Sequence, residues 1–160
     1  MNSIKLLELL EQDGSLSAKD LATMLGSSEK GVNKAISELK KKGVIRKFKA
    51  VVDWKKVSGT HASAVIQVKV VPQEKHGFAK ICREIAKERM VNDIYVVTGE
   101  YDLLLTATAG SIDEISEFIT EKLAPKKEVM STNTHIILKE FKRAGILMFD
   151  EDSKRLALSP

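Results

Sequence analysis

Five polar side chains at helical spacing are placed to make hydrogen bonds to a nucleic acid. The set consists of Lys30, Asn33, Lys34, Ser37 and Lys41. In a helix these positions lie away from the apolar residues Val32, Ile36 and Leu39. Lysine can bond a guanine edge or a phosphate, asparagine can bond adenine, and serine can serve either role. The pattern therefore predicts contact with base edges in the major groove of double-stranded DNA.

Further hydroxyl and basic side chains flank this predicted helix. Ser27 and Ser28 precede it, where one of them can cap the helix and free backbone amides attract a phosphate. After Gly43, the strand-like segment Val44–Asp53 is a candidate wing. Its basic residues are Arg46, Lys47 and Lys49. We expect these three to hold the DNA backbone without reading sequence.

The positive charge of the chain is concentrated in the same region. Residues 1–55 carry a net charge of +4, and residues 56–160 carry none. Residues 28–49 contain eight basic side chains and two acidic ones. A basic patch of this kind indicates a polyanion partner, although a solvated helix face would give the same count. We favour nucleic acid because the patch coincides with a helix-turn-helix pattern.

Local signals predict three short helices that would position these residues. Ser3 can cap a first helix that ends at Asp13-Gly14. Ser17 and Asp20 resemble a capping box for the second helix, and Gly26 suits its left-handed end. With the basic third helix and the candidate wing, this order predicts a winged helix-turn-helix.

The remainder of the chain alternates between strand and helix periodicity. The predicted elements are a strand at Ala62–Val71, a helix opened by Pro72, strands at Val91–Thr98 and Leu103–Ala109, a helix with a capping box at Ser111 and Glu114, and a strand at Val129–Phe141. This βαββαβ order is the ferredoxin-like pattern. We therefore predict an α+β protein with a winged helix-turn-helix at 1–52, a linker at 53–61, a ferredoxin-like domain at 62–143 and a C-terminal extension at 144–160.

Several function classes receive no support from the sequence. Cys82 is the only cysteine, and the three histidines have no metal-ligand spacing. We find no nucleophile elbow and no phosphate-binding glycine loop, so we expect no enzyme, no metal and no cofactor. No apolar run approaches the ~20 residues of a membrane span, and residues 1–14 lack the features of a signal peptide. We expect a cytoplasmic protein with no membrane partner.

Five phrases of the sequence together resemble one known family. They are Lys5-Leu6-Leu7-Glu8-Leu9-Leu10, Asp20-Leu21-Ala22, the stretch from Leu39 to Gly43-Val44-Ile45, the stretch from Val97 through Gly99-Glu100-Tyr101-Asp102 to Leu105, and Thr132-Asn133-Thr134-His135-Ile136-Ile137-Leu138. Over roughly residues 3–143, the chain is similar to the Lrp/AsnC, or feast/famine, transcriptional regulators. A helix-turn-helix alone is weakly specific, but its combination with a G-x-Y-D turn inside βαββαβ is strong.

The resemblance implies an assembly and a ligand site. In such proteins the ferredoxin-like domains, of the RAM or ACT type, pair through their sheets into dimers, which often form octamers. Small effectors, usually amino acids, bind between dimers near the G-x-Y-D turn and the last strand. Transferred by position, the implied effector residues are Gly99, Tyr101, Asp102, Thr132 and Thr134. Without the resemblance, these would be an ordinary hairpin turn and ordinary strand residues.

One departure from the family concerns the third helix. Family members often carry arginine at the position of Ala35, so base reading would depend on the neighbouring polar side chains. The resulting hypothesis is a sequence-specific DNA-binding regulator whose assembly or DNA affinity responds to a small amino acid. The first rival is an architectural protein that wraps DNA with little sequence preference, and the second is an enzyme subunit that uses βαββαβ as a sensor.

Overall fold

The computed structural model describes residues 2–57, 61–71 and 77–150. The chain divides into two units, Met1–Val51 and Val52–Pro160. The first unit contains the helices that carry the basic patch. The second contains a four-stranded sheet and the C-terminal segment.

Three helices form the first unit. They are α1 at Ser3–Gln12, α2 at Ala18–Leu25 and α3 at Glu29–Lys41. Their shared core consists of the buried side chains Leu6, Leu10, Leu21, Ala22 and Val32. Ile36 and Leu39 pack against this core, so the apolar stripe predicted for α3 is confirmed.

The caps of these helices agree with the predictions except at the first one. Asn2, and not Ser3, caps α1, because its side-chain oxygen accepts from Ile4 N at 3.0 Å. Ser17 and Asp20 form the expected reciprocal capping box. Gly26 then ends α2 in the left-handed conformation.

The strand predicted at 44–53 is wrong for the single chain. After α3 the backbone has no regular secondary structure until a short 3₁₀ turn at Trp54–Lys56. Val44 and Val51 are exposed. A strand requires a neighbouring strand to take up its backbone hydrogen bonds, and the described part of the chain offers this segment none.

The second unit has the predicted βαββαβ order. Its elements are β1 at Ala62–Val70, α4 at Ala79–Ile85, β2 at Val91–Val96, β3 at Leu103–Ala109, α5 at Ile112–Glu117 continued by a π turn at Phe118–Leu123, and β4 at Val129–Ile136. The sheet order is β2-β3-β1-β4, and all three neighbouring pairs are antiparallel. The predicted α+β, ferredoxin-like fold class is confirmed.

Strict alternation along β1 and β3 determines which face of the sheet is buried. Ile66 and Val68 of β1, and Leu103 and Leu105 of β3, are fully buried. Ile81 and Ile85 of α4, and Ile115 of α5, are buried in the same core. The residues between them on each strand point to the opposite face. We call that opposite surface the open face.

Two element boundaries in this unit differ from the predictions. The last strand ends at Ile136 and not at Phe141, and a small hairpin follows, with β5 at Lys142–Arg143 and β6 at Ile146–Leu147. At α5, Ser111 caps the helix, but the Glu114 carboxylate accepts from Gly110 N and not from Ser111 N. The helix predicted to open at Pro72 starts at Ala79, and Pro72 itself lies outside the described residues.

Contacts inside the second unit connect the hairpin to the chain around Trp54. The Arg143 guanidinium donates to the Val52 carbonyl oxygen and to Glu140. Lys56 Nζ lies 2.8 Å from the Asp150 carboxylate. The apolar C-terminal segment therefore packs partly on its own chain. Along the described stretches, no helix combines the length and apolar character needed to span a bilayer.

Candidate nucleic-acid interface and ligand cleft

The polar face of α3 is fully available for contact. Its members Lys30, Asn33, Lys34, Ser37 and Lys41 are all exposed. Within the described ranges, none of the three lysines forms an ion pair. Because Val32 is buried directly behind this face, the helix is held by its apolar side and presents its cations outward. That arrangement suits a phosphate-rich partner.

The residues around this face have more mixed roles. Ser28 Oγ caps α3 by accepting from Gly31 N at 3.1 Å, whereas Ser27 is half-buried. Lys40 lies over the Phe48 ring, with Nζ 5.0 Å from the centroid. The basic side chains after the helix are exposed, and they are Arg46, Lys47 and Lys49. The contact of each residue with DNA stays a prediction.

Ala35 lies on the inner side of α3. It is half-buried and packs against the three-helix core. A long basic side chain at this position would have to leave that core along the helix flank. The small residue at position 35 therefore leaves the exposed polar set as the surface that α3 offers to DNA.

A cleft of about 530 Å³ lies beside the turn between β2 and β3. It is lined by Gln67, Val97, Thr98, Glu100, Tyr101, Leu103, Leu104, Asn133 and His135. Tyr101 is thus the one residue of the predicted effector set that lines it. Gly99 lies in the same turn, between two lining residues.

Three side chains from β1 and β4 form a hydrogen-bonded group at this cleft. Asn133 Nδ2 lies 3.1 Å from Gln67 Oε1 and 3.2 Å from His135 Nε2. His135 Nε2 lies 3.3 Å from Gln67 Oε1. Gln67 pairs with Asn133, and both project from the open face. The group supplies amide and imidazole donors and acceptors to a polar ligand.

The turn that borders the cleft is held by the backbone conformation of Gly99 and by hydrogen bonds of Asp102. Gly99 has φ +123°, a conformation that residues with a Cβ rarely adopt. The Asp102 carboxylate accepts from Val70 N at 3.0 Å, next to the irregularity between Lys69 and Val70 in β1. Asp102 N donates to Val68 O at 3.1 Å, so the residue attaches the turn to β1.

The electrostatics of Asp102 follow from these bonds. The hydrogen bond from Val70 N lowers the pKa of the carboxyl below its ordinary value, partial desolvation opposes this, and Lys69 contributes a smaller lowering. The Lys69 Nζ lies 3.4 Å from the carboxylate. The Asp102 carboxylate was predicted to bind an effector, but in this structure it already binds Val70 N and Lys69 Nζ.

Thr132 and Thr134 do not line this cleft. They pair with Val68 and Ile66, whose side chains are buried in the core, so the two threonines project toward the helix-covered face. Asn133 and His135, which alternate with them, reach the cleft instead. The signal that would have identified these two is the period-2 alternation of a strand. The effector role of the threonines stays a prediction.

The single cysteine belongs to the core. Cys82 packs against the sheet core beside Ile81 and Ile85, and burial raises the pKa of its thiol. A protonated thiol is a poor nucleophile. Across the described residues, no three histidine, cysteine, aspartate or glutamate side chains are grouped to hold a metal ion.

Comparisons with known proteins identify both units. A model of the Lrp/AsnC ligand binding domain matches residues 63–147. A model of winged helix-turn-helix DNA-binding domains matches residues 2–46. Together the two matches cover the three helices, the sheet and the C-terminal hairpin.

Individual relatives agree with these domain matches. YugG, an HTH-type transcriptional regulator of Bacillus subtilis, is 33% identical over 98% of this chain and 95% of its own. A Neisseria meningitidis transcriptional regulator, solved in complex with L-Met, has a TM-score of 0.71 at 23% identity, over 88% of this chain and 90% of its own. Escherichia coli AsnC has a TM-score of 0.65 at 21% identity, over 86% and 91%. The two solved structures are similar to this chain in fold.

Proposed function

This chain belongs to the Lrp/AsnC family, which makes it a DNA-binding transcriptional regulator and not an enzyme, and we propose that a small amino acid controls its assembly or its affinity for DNA. We assign sequence-specific DNA reading to residues 1–52 and effector binding with assembly to residues 62–143. Residues 53–61 are the linker, and residues 144–160 are the C-terminal extension. The site of action is the cytoplasm.

The observation that carries DNA reading is the exposed polar face of α3, whose lysines form no ion pair with any residue that the structure describes. Lys30, Asn33, Lys34 and Ser37 contact base edges, and Lys41 contacts phosphate or bases. Ser27 and Ser28 lie at the phosphate that approaches the start of α3. The phosphate contacts beyond the helix come from Arg46, Lys47 and Lys49.

The effector proposal is supported by the ligand-binding domain match and by the cleft next to Gly99–Asp102. The Neisseria meningitidis regulator with the same fold binds L-Met, which favours an amino acid here as well. Tyr101, Gly99 and Asp102 form or support one wall of the site. Thr132 and Thr134, which project toward the helix-covered face, would contact the effector only where one dimer meets another and not through the open face.

A homodimer, assembling further to an octamer, is the proposed active form. The open face of the sheet presents Tyr95, Leu104 and Thr106 with no helix of the described second-unit core packed on that side. Pairing through this face would cover apolar area, place the partner subunit over the cleft, so that an effector there would bind between subunits, and bring two copies of α3 to one DNA duplex. Twofold symmetry then predicts a palindromic target.

DNase I footprinting on genomic fragments selected by the protein tests DNA reading. We expect discrete protected half-sites that recur with helical phasing, and binding that falls steeply with salt. Uniform coverage without preferred positions would contradict a sequence-specific regulator and support DNA wrapping.

A thermal-shift screen of the twenty amino acids tests the effector proposal. A ligand that binds only the folded state raises its stability, by about 2.7 kcal/mol at a hundredfold excess over Kd. We expect a selective rise in the melting temperature with one amino acid or a few related ones. No shift at millimolar concentrations would contradict the effector proposal and leave DNA binding unaffected.

A further inference from the structure

Phe48 attaches the segment after Ile45 to the three helices. Ile45 N donates to Leu39 O at 3.2 Å, and the Ile45 side chain packs against the helical core. The backbone of residues 46–51 forms no hydrogen bond with any other residue that the structure describes. Side-chain contacts therefore determine where this segment lies on the first unit.

The Phe48 ring lies between the turn after α1 and the last turn of α3. A Cβ built on Gly14 would lie 3.1 Å from Phe48 Cδ1, closer than ordinary van der Waals contact, so the ring packs directly against this glycine. On α3, Lys40 Nζ lies 5.0 Å from the ring centroid, within the range of a cation–π interaction. The ring thereby contacts two elements at once, and 38% of the side chain stays exposed.

The two residues next to Phe48 in the chain are basic. Lys47 and Lys49 are exposed, and neither forms an ion pair with a residue that the structure describes. Arg46 is placed differently, because its guanidinium carbon lies 3.6 Å from the position of a Cβ on Gly43, just after α3. Phe48 therefore determines the position of Lys47 and Lys49, and the end of α3 determines that of Arg46.

We propose that Phe48 is a positioning residue for DNA binding, which holds Lys47 and Lys49 beside α3 so that both bind phosphates of the duplex that α3 contacts. The inference rests on the proposed DNA-binding function and adds to it the side chain that places these phosphate contacts. Without the contacts of the ring to Gly14 and Lys40, the segment would lose more conformational entropy in each binding event, and binding would weaken. The ring itself needs no contact with DNA.

Salt titrations of DNA binding measure this role, by fluorescence anisotropy with the full chain and a duplex selected by the protein. We expect Phe48→Ala to weaken binding about five- to tenfold and to reduce the slope of log affinity against log salt by about one to two, because each phosphate contact contributes about 0.9 to that slope. Phe48→Tyr keeps the aromatic contacts with Gly14 and Lys40 and should bind like wild type. Phe141→Ala is the matched control and should leave the slope unchanged, since Lys139 Nζ lies 4.8 Å from the centroid of that exposed ring in the second unit.

A double-mutant cycle separates positioning from stability. The variant Lys47→Ala/Lys49→Ala should reduce the slope by about two. Adding Phe48→Ala to it should then change the affinity by less than about twofold, since the cations that the ring positions are gone. Circular dichroism melts give the melting temperature of each variant, and binding is measured well below it, so that a loss of stability alone leaves the slope unchanged.

The outcomes separate this inference from the proposed function. If Phe48→Ala lowers the melting temperature but keeps the wild-type slope, or if its effect adds in full to that of Lys47→Ala/Lys49→Ala, the positioning role is wrong and the DNA contacts stand. If Lys47→Ala/Lys49→Ala itself binds with the affinity and slope of wild type, the proposed phosphate contacts of these lysines fail together with this inference.

Discussion

Lys34 lies at the centre of the exposed face of α3, one turn from Lys30 and close to one turn from Ser37. Without an ion pair in the described structure, its charge is free to replace a counterion on DNA. We predict that Lys34→Ala weakens binding about three- to tenfold and reduces the slope of log affinity against log salt by about one. If Lys34 also reads a base, discrimination between target and random DNA will fall.

Gel-shift titrations at several salt concentrations measure this effect. Lys87→Ala, which removes an exposed lysine from the second unit, is the matched control and should leave DNA affinity unchanged. Unaltered affinity and selectivity for Lys34→Ala would remove Lys34 from the interface.

Asp102 makes a prediction about acid stability. Its pKa is lowered in the folded state, so its bond to Val70 N stabilises the fold above the ordinary carboxyl pKa of 3.8. That stabilisation is lost as the pH falls through the lowered folded-state value. We predict that Asp102→Asn is less stable than wild type at neutral pH, and that the difference narrows below about pH 4. Urea unfolding at pH 7 and pH 3.5 measures this, with Glu121→Gln as the control; a difference independent of pH would contradict it.

Residue roles were predictable where the partner is local in sequence. The Ser17–Asp20 capping box spans three residues and was visible in the pattern. The choice between Asn2 and Ser3 depended on which neighbour adopts the extended conformation of a cap. The structural role of Asp102 was not predictable, because its carboxylate accepts a hydrogen bond from Val70 N, and Val70 lies 32 residues away in the chain.

Element order was more predictable than element ends. Helical and period-2 spacing identified the three helices of the first unit and the βαββαβ order of the second, since each pattern reflects one buried face. The ends depend on partners that the pattern does not show. After Ile136 one more backbone bond, from Ile137 N to Ser63 O at 2.8 Å, joins β4 to β1, and the chain then folds into a separate hairpin. The wing segment lacks a strand because the described chain provides no neighbour for it.

The hairpin that replaces the end of the last strand has a measurable role. The Arg143 guanidinium donates to the Glu140 carboxylate and to the Val52 carbonyl oxygen. The side chains of Arg143 and Glu140 are half-buried. We predict that Arg143→Ala lowers the free energy of unfolding by about 1–2 kcal/mol, because it leaves the Glu140 carboxylate without its partner. Trypsin should also cleave faster after Lys55 and Lys56, since residue 52 is no longer held.

Urea titration and limited proteolysis followed by mass spectrometry measure both effects. Lys142→Ala changes the adjacent exposed residue of the hairpin and is the matched control. If both variants unfold and are cleaved like wild type, the hairpin does not stabilise the chain that precedes β1.

At the scale of the molecule, charge and function are divided between the two units. The first 55 residues hold the entire net charge of +4, and the remaining 105 are neutral. A single α3 face offers few cations to DNA, so we expect one unit alone to bind weakly. Pairing through the neutral second unit would convert the second contact into an intramolecular one and raise the effective concentration of the partner α3.

This division predicts a strict dependence on the spacing of two half-sites. Two α3 helices related by a twofold axis reach the same side of B-DNA when the half-sites are separated by ~10 bp or a multiple. Inserting ~5 bp turns one half-site to the opposite side of the duplex, so we predict at least a tenfold loss of affinity, and inserting ~10 bp should restore part of it. Gel shifts on the three duplexes, with a duplex carrying a single half-site as the control, measure this directly. Equal affinity for the three two-site duplexes and the single-site duplex would mean that each DNA-binding unit binds independently. The pairing of subunits through the open face would then be wrong.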